Sequence, residues 1–126
     1  MIDLKTTLII HNILIEKFGG VKGIRDQGGL EAAIARPNAT FDGQDLYPDA
    51  TDKATAIFES IIINHPFLDG NKRTAYTLLR LTLLEFEIDI IATEDEKYSM
   101  TIAASKGELT FDGIKLWLVE HTTQSK

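Results

Sequence analysis

The feature that most constrains this chain is a pair of long apolar segments joined by a nine-residue loop. Asp52–Asn64 and Thr74–Phe86 carry Ala, Ile, Leu and Phe on nearly every face of a helix, and helices that are apolar all round lie in a protein core. Pro66 should end the first helix at or before His65, because the residue before a proline is pushed out of the α region. We therefore predict two central helices of a bundle, with residues 65–73 fixed between them.

Helical patterns cover most of the remaining sequence, so the predicted fold class is all-α. A first helix should stop near Phe18, a short second one should span residues 30–36, and Thr93 with Glu96 should form a capping box for a helix that runs to Lys106. Thr110 is a candidate cap for the last helix, and a frayed polar tail should follow it. The residues that we expect the first and last helices to bury are Leu4, Leu8, Ile9, Ile13, Ile15, Ile114, Leu116, Trp117 and Leu118.

The loop between the central helices places cations where a helix does not favour them. Asn71, Lys72 and Arg73 should lie in or beside the first turn of the second central helix, whose free N–H groups and dipole are already positive. A bound phosphate would resolve this conflict. Gly70 would let the backbone fold closely around such a group, as an anion-holding nest.

Other side chains of the loop suit a phosphate site. Asp69 offers a hard oxygen ligand for Mg²⁺, His65 is a candidate general base, and Phe67 is interpreted as an apolar anchor. Each has a simpler explanation, because a histidine before a proline is usually a cap or a surface residue, Asp-Gly is usually a turn, and Lys-Arg is usually a solvated face. Their order within nine consecutive residues favours chemistry.

This order resembles the core motif of the Fic/Doc (Fido) superfamily, His-x-Phe-x-Asp/Glu-Gly-Asn-Gly/Lys-Arg, and most closely its death-on-curing (Doc) branch. The resemblance covers nearly the whole chain and implies a bundle of about six helices with a short β-hairpin flap. By resemblance, His65 takes a proton from a target hydroxyl, Asp69 binds Mg²⁺, and residues 70–73 hold phosphate oxygens of ATP. Further residues that carry the resemblance are Gly19-Gly20, Gly23-Ile24-Arg25-Asp26, Gly29-Leu30-Glu31, Ala35-Arg36-Pro37 and Leu46-Tyr47-Pro48.

Departures from the superfamily pattern bear on the reaction. Relatives that transfer AMP usually have glycine where this chain has Lys72, and a second arginine where it has Tyr76. The Doc branch has lysine at the first of these positions and is known for phosphorylating its target with the nucleotide in reversed orientation. Gly70 favours AMP transfer, because the type member of the Doc branch has alanine there. The resemblance therefore implies a kinase, with AMP transfer and a catalytically silent binding module as alternatives.

The segment from Thr40 to Tyr47 interrupts the helical pattern. Asp42-Gly43 is a turn signal between two β-prone pairs, which predicts either a two-stranded flap or a plain loop. By resemblance, Phe41, Asp42, Gly43, Leu46 and Tyr47 would align a target segment as an added strand, a known way to hold an extended peptide.

Composition limits the partners of this chain. Its 126 residues are the size of one domain, 1–126, and its net charge of −6 is the wrong sign for direct nucleic-acid binding. It contains no cysteine, signal peptide or membrane-length apolar run, so we expect a cytoplasmic protein.

The resemblance also implies partners. The target would be a translation factor such as elongation factor Tu, and an antitoxin would block the site with a helix. The nearest match to a self-restraining Ser/Thr-x-x-x-Glu helix is Thr55–Glu59, which we interpret as chance. Restraint should therefore come from another chain.

Overall fold

Two central helices organise the fold, as the apolar segments predict. The computed structural model describes residues 2–123, and it confirms an all-α bundle with one short hairpin. In chain order, the elements are α1 (Leu4–Phe18), α2 (Gln27–Ala35), a 3₁₀ turn (Arg36–Asn38), β1 (Thr40–Phe41), β2 (Gln44–Asp45), α3 (Ala50–Asn64), α4 (Asn71–Leu84), α5 (Glu94–Ser105) and α6 (Phe111–Glu120).

The core lies between α3 and α4, whose facing side chains are almost fully buried. Helices α2, α5 and α6 and the 3₁₀ turn pack around α3, whereas α1 packs against α4. None of the helices between residues 2 and 123 combines the length and the apolar character of a membrane-spanning segment. The largest buried side chains of the two central helices are Phe58, Ile57, Ile61, Ile62, Leu78, Leu79 and Leu83.

Side-chain caps begin most of the helices. Asp3, Asp26 and Asp49 accept hydrogen bonds from the first turns of α1, α2 and α3. At α5 the predicted capping box is confirmed, since the Thr93 hydroxyl accepts from the Glu96 N–H at 3.1 Å and the Glu96 carboxylate accepts from the Thr93 N–H at 2.8 Å. At α6 the hydroxyl of the predicted cap makes no such bond.

Several predicted helix boundaries were wrong by two or three residues. Helix α2 begins at Gln27 rather than at residue 30, because the Asp26 carboxylate caps it at the Gly29 N–H. Helix α4 starts at Asn71 and ends at Leu84, earlier at both ends than the predicted span 74–86. The tail was predicted to fray, and residues 124–126 lie outside the described part of the chain.

The burial predicted for α1 and α6 was wrong at three positions. Ile9 and Ile13 are 50% and 55% exposed, and Leu116 is 58% exposed. The buried stripe of α1 is Thr7, His11 and Ile15, because the polar members of this stripe find partners inside the protein. For example, the Thr7 hydroxyl donates to the Asp3 carbonyl at 2.8 Å.

The hairpin predicted between residues 40 and 47 is confirmed. Its strands pair antiparallel, with Thr40 opposite Asp45 and Phe41 opposite Gln44. Asp42 and Gly43 have φ angles of 55° and 78°, and a two-residue hairpin turn of this kind needs positive φ at both positions. All four strand residues are exposed, so the hairpin projects from the surface.

A pair of leucines on α6 tests the corrected burial. Leu118 is fully buried, so we expect Leu118→Ala to lower the free energy of unfolding by about 3 kcal/mol, as is typical of a core cavity. The matched variant Leu116→Ala removes the same atoms from an exposed position and should change stability by less than about 0.5 kcal/mol. Urea unfolding monitored by circular dichroism measures both values, and equal losses would contradict the assignment.

Candidate active site

His65 is the residue that follows the last turn of α3. Its backbone is left-handed, with φ 47° and ψ 57°, and its N–H donates to the Ile61 carbonyl at 3.1 Å. The residue is exposed, and its imidazole has no hydrogen bond or ion pair with any residue between 2 and 123. The helix therefore ends just before Pro66, as predicted, and presents the ring to solvent.

Arg25 caps the carboxyl end of α3. Its Nε donates to the His65 carbonyl at 2.7 Å, and its Nη2 donates to the Asn64 carbonyl. The last carbonyls of a helix lack partners within the helix and carry the negative end of its dipole, so a guanidinium suits this position. Arg25 thus fixes the backbone of the candidate base, a role that the sequence alone did not reveal.

The segment around Arg25 also pairs with the loop through its backbone. The N–H groups of Arg25 and Asp26 donate to the Pro66 carbonyl at 2.7 and 3.0 Å, and the Leu68 N–H donates to the Gly23 carbonyl at 3.1 Å. An isolated β-bridge joins Ile24 and Phe67. These bonds hold the first half of the loop along a second strand-like segment.

His11 contacts the loop from its buried side. It is 2% exposed, and its ring stacks on Phe67 with the ring centres 3.7 Å apart and the planes 7° apart. Its Nε2–H donates to the Asp69 carbonyl at 2.8 Å. Phe67 is itself 1% exposed, so the stacked rings of His11 and Phe67 anchor the loop in the protein interior.

The Asp69 carboxylate lies at the surface with capacity for a cation. Its Oδ2 accepts from the Val21 N–H at 3.1 Å, and its Oδ1 accepts from the Gly70 N–H at 3.1 Å. Gly20 permits this approach, because a Cβ atom there would lie 3.0 Å from Asp69 Oδ2 and its φ is +123°. Two carboxylate oxygens offer about four acceptor positions, so backbone donors leave room for a metal ion.

Asn71 closes the second half of the loop. Its Oδ1 accepts from the Phe67 N–H, and its Nδ2 donates to the Phe67 carbonyl, both at 3.0 Å. We predicted a phosphate contact for Asn71, and in this structure its side-chain amide is engaged with the loop. The backbone N–H of Asn71, at the start of α4, is still available to a phosphate.

The start of α4 brings together backbone donors and two cations. Gly70 is left-handed at φ 75°, and the first backbone bond into the helix runs from the Thr74 N–H to the Gly70 carbonyl at 3.0 Å. The N–H groups of residues 71–73 have no acceptor among the described residues. Lys72 and Arg73 are exposed and form no ion pair within residues 2–123, although the Arg73 guanidinium lies 4.2 Å from the Phe18 ring centre. This group of donors fits a phosphate.

A cleft of about 600 Å³ opens beside these donors, between α1, α4 and α5. Tyr76 is half-buried in its wall, and burial raises the pKa of its phenol. Lys97 adds a third cation, although its Nζ forms an ion pair with Glu94 Oε1 at 3.2 Å. His65 does not line the cleft. The residues that do are Leu14, Phe18, Asp69, Gly70, Asn71, Lys72, Arg73, Tyr76, Thr77, Glu94, Lys97, Tyr98, Thr101 and Ile102.

We predict that replacing His11 loosens the loop. His11→Leu removes the donor to the Asp69 carbonyl and fills its buried position with an apolar side chain. We expect it to lower the free energy of unfolding by about 1–3 kcal/mol because a partly buried acceptor loses its partner. The control Asn12→Leu changes an exposed neighbour on the same helix and should have little effect. Chemical denaturation measures both variants, and a His11→Leu protein as stable as the wild type would remove His11 as a support.

Comparisons with known proteins agree with the geometry. The chain is 54% identical over 59 residues to the protein named Toxin Doc from Mycolicibacterium smegmatis (strain ATCC 700084 / mc(2)155), a match that covers 47% of this chain and 45% of that protein. It is 26% identical over 107 residues to the protein named Protein kinase doc from Escherichia phage P1, covering 85% of this chain and 83% of that protein. A sequence model described as Fic/DOC family matches residues 1–83, and the chain therefore belongs to the Fic/DOC family.

Proposed function

We propose that this chain is the toxin of a toxin–antitoxin system and transfers the γ-phosphate of ATP to a hydroxyl side chain of a protein. The observation that carries the proposal is the segment of residues 65–73, which has His65 at one end and, at the other, Lys72 and Arg73, for which residues 2–123 supply no ion pair. The names of the similar proteins, Toxin Doc and Protein kinase doc, support the same function.

Phosphoryl transfer depends on positioning and on charge stabilisation more than on covalent help from the protein. In the proposed reaction, His65 accepts the proton of the target hydroxyl as its oxygen bonds to the γ-phosphorus. The bond from that phosphorus to the bridging oxygen breaks, and ADP leaves with the electron pair. Lys72, Arg73 and the free N–H groups at the start of α4 hold phosphate oxygens and balance their charge.

Asp69 is the proposed ligand of a magnesium ion. Within residues 2–123 no group of three or more His, Cys, Asp or Glu side chains is arranged to hold a metal ion. Mg²⁺ is commonly bound by one or two carboxylates together with substrate phosphates and water, so the exposed Asp69 carboxylate fits this mode. Bound there, the ion would neutralise phosphate charge.

We propose two protein partners. The first is the target, for which elongation factor Tu is the leading candidate, and the second is an antitoxin that covers the site. Restraint within the chain has no support from the Thr55–Glu59 match: the Glu59 carboxylate accepts from Arg36 at 3.1 Å, and the Thr55 hydroxyl donates to the Thr51 carbonyl at 2.7 Å.

AMP transfer from the same site is the second candidate, and Gly70 is the residue that favours it. Local packing offers another explanation for this glycine, because a Cβ atom would lie 3.0 Å from Ile15 Cδ1 and the φ of +75° disfavours other residues. The cleft carries half-buried Tyr76 where a second arginine would assist AMP transfer. Gly70 therefore discriminates weakly between the reactions, and Lys72 supports the kinase.

ATP labelled separately at the α- and γ-phosphates tests the proposal. With purified elongation factor Tu as acceptor, we expect label from the γ position on the target and none from the α position. His65→Ala should lower this rate by about 10²–10⁴-fold, the usual contribution of a general base, while the affinity for Mg²⁺-ATP in calorimetry stays the same.

The control for this variant is His121→Ala. The His121 ring follows α6, where its Nδ1 lies 2.7 Å from the Trp117 carbonyl and its Nε2 lies 3.4 Å from the Glu96 carboxylate, and it does not line the cleft. The control variant should transfer phosphate at the wild-type rate. Label from the α position would favour the nucleotidyl transferase, and label from neither would favour a binding module. A His65→Ala protein with full activity would remove His65 from the mechanism.

Lys72→Gly separates the two reactions further. The lysine supplies a charge-assisted contact to polyphosphate, and its loss should lower γ-phosphate transfer by about tenfold. The remaining N–H groups can still hold a phosphate, so a small amount of AMP transfer is expected. Both labels should be followed on the wild type and the variant with the same acceptor, and unchanged γ transfer would show that Lys72 is a surface charge only.

A further inference from the structure

The hairpin formed by β1 and β2 is too small to fix its own position. Each strand has two residues, and isolated two-stranded hairpins are at best marginally stable in water. Phe41 at its tip is 74% exposed. The orientation of the hairpin relative to the rest of the protein must therefore come from contacts at the base of the hairpin.

Those contacts converge on Arg36. The Arg36 carbonyl accepts from the Ala39 N–H, and the Ala39 carbonyl accepts from the Leu46 N–H, both at 3.0 Å. The Tyr47 hydroxyl, on the other arm of the hairpin, accepts from Arg36 Nε at 2.8 Å. Both arms of the hairpin are thus hydrogen-bonded to Arg36, either directly or through one residue.

The same guanidinium reaches the last turns of α3. Its Nη1 donates to Glu59 Oε1 at 3.1 Å and to Ser60 Oγ at 2.9 Å. Ser60 is 7% exposed, and the Glu59 side chain is 15% exposed, so the contacts lie largely away from solvent. Helix α3 ends at Asn64, immediately before His65. Arg36 therefore connects the base of the hairpin to the helix that carries the candidate base. Lys53 of the same helix adds a longer contact, with its Nζ 3.9 Å from the Asp45 carboxylate of β2.

We propose that Arg36 is a positioning residue that holds the hairpin in register with His65, so that a target segment seated on the hairpin presents its hydroxyl to the imidazole. The inference rests on the proposed function, because it needs a protein target aligned by the hairpin. A planar guanidinium suits this role, since its donors point in fixed directions. The Tyr47 and Phe111 ring centres lie 5.2 and 5.7 Å from its Cζ atom, within the range of cation–π contacts.

Substitutions should separate positioning from stability. Tyr47→Phe removes only the acceptor on the hairpin side, and Arg36→Met removes both sides. Arg36→Lys keeps a positive charge for Glu59 but loses the planar guanidinium with its fixed donors. It should therefore retain more thermal stability than Arg36→Met while positioning the hairpin poorly. The matched control is Arg80→Met, which removes an exposed arginine paired with Asp89 at 3.0 Å.

The first measurement is amide hydrogen exchange in the full chain, which requires no activity. We expect exchange at the Leu46 N–H to be about tenfold faster in Tyr47→Phe and in all Arg36 variants, with α3 unchanged in Tyr47→Phe. This corresponds to the loss of one hydrogen bond of ordinary strength. Unchanged exchange would overturn the inference.

The second measurement is steady-state transfer of γ-labelled phosphate from ATP to elongation factor Tu. KM for the protein acceptor should rise about tenfold in Tyr47→Phe and in the Arg36 variants, while KM for ATP stays constant; Arg80→Met should match the wild type. Faster exchange with an unchanged acceptor KM would overturn the inference and leave the proposed function in place. A wild type that transfers neither label would overturn the proposed function, and the positioning role with it.

Discussion

The side-chain amide of Asn71 closes residues 67–71 into a ring, because it accepts from the Phe67 N–H and donates to the Phe67 carbonyl. An amide is suited to this task since it carries both a donor and an acceptor, whereas a carboxylate could only accept. The closed ring sets the direction in which α4 leaves the loop. The positions of Gly70, Lys72 and Arg73 relative to Asp69 all follow from that direction.

The hydrogen-bonded ring of residues 67–71 would have little rigidity without the segment between α1 and α2. Gly20 lets the chain pass close to the Asp69 carboxylate, and Arg25 fixes the carbonyl end of α3. These residues belong to the groups through which the chain resembles its family, and the structure gives each a physical task at the loop. The loop of the candidate site is thus supported from both sides, by helix ends along the chain and by residues 20–26 across it.

Sequence reasoning succeeded where the cause is local. The Thr93–Glu96 capping box and the Asp42-Gly43 turn depend on residues at most three positions apart, so their patterns are visible in the sequence. It failed where the cause is a distant contact. The partner of His11 is 58 residues away, so the sequence did not reveal that His11 is buried in α1 whereas Ile9 and Ile13 are exposed.

For the candidate site, the sequence predicts which residues share one loop, whereas the contacts of each residue follow from the structure. The loop, its base and its cations follow from the order of residue types between two apolar helices. The direction of each side chain does not, because it depends on hydrogen bonds from other elements. Asn71 is the clearest example, since the phosphate contact predicted for it competes with a ring closure that only the folded loop reveals. Arg25 is another, with its acceptor 40 residues away.

Lys72 and Arg73 differ from the ion-paired cations of this acidic chain. Arg36, Arg80 and Lys115 each contact a carboxylate at 2.6–3.1 Å, whereas Lys72 and Arg73 have none within residues 2–123. Their position makes this unfavourable for the isolated protein, because both stand at the positive end of α4. A bound polyphosphate would remove the repulsion and gain two charge-assisted contacts. The folded chain therefore holds, at one helix start, a local conflict that an anionic ligand resolves.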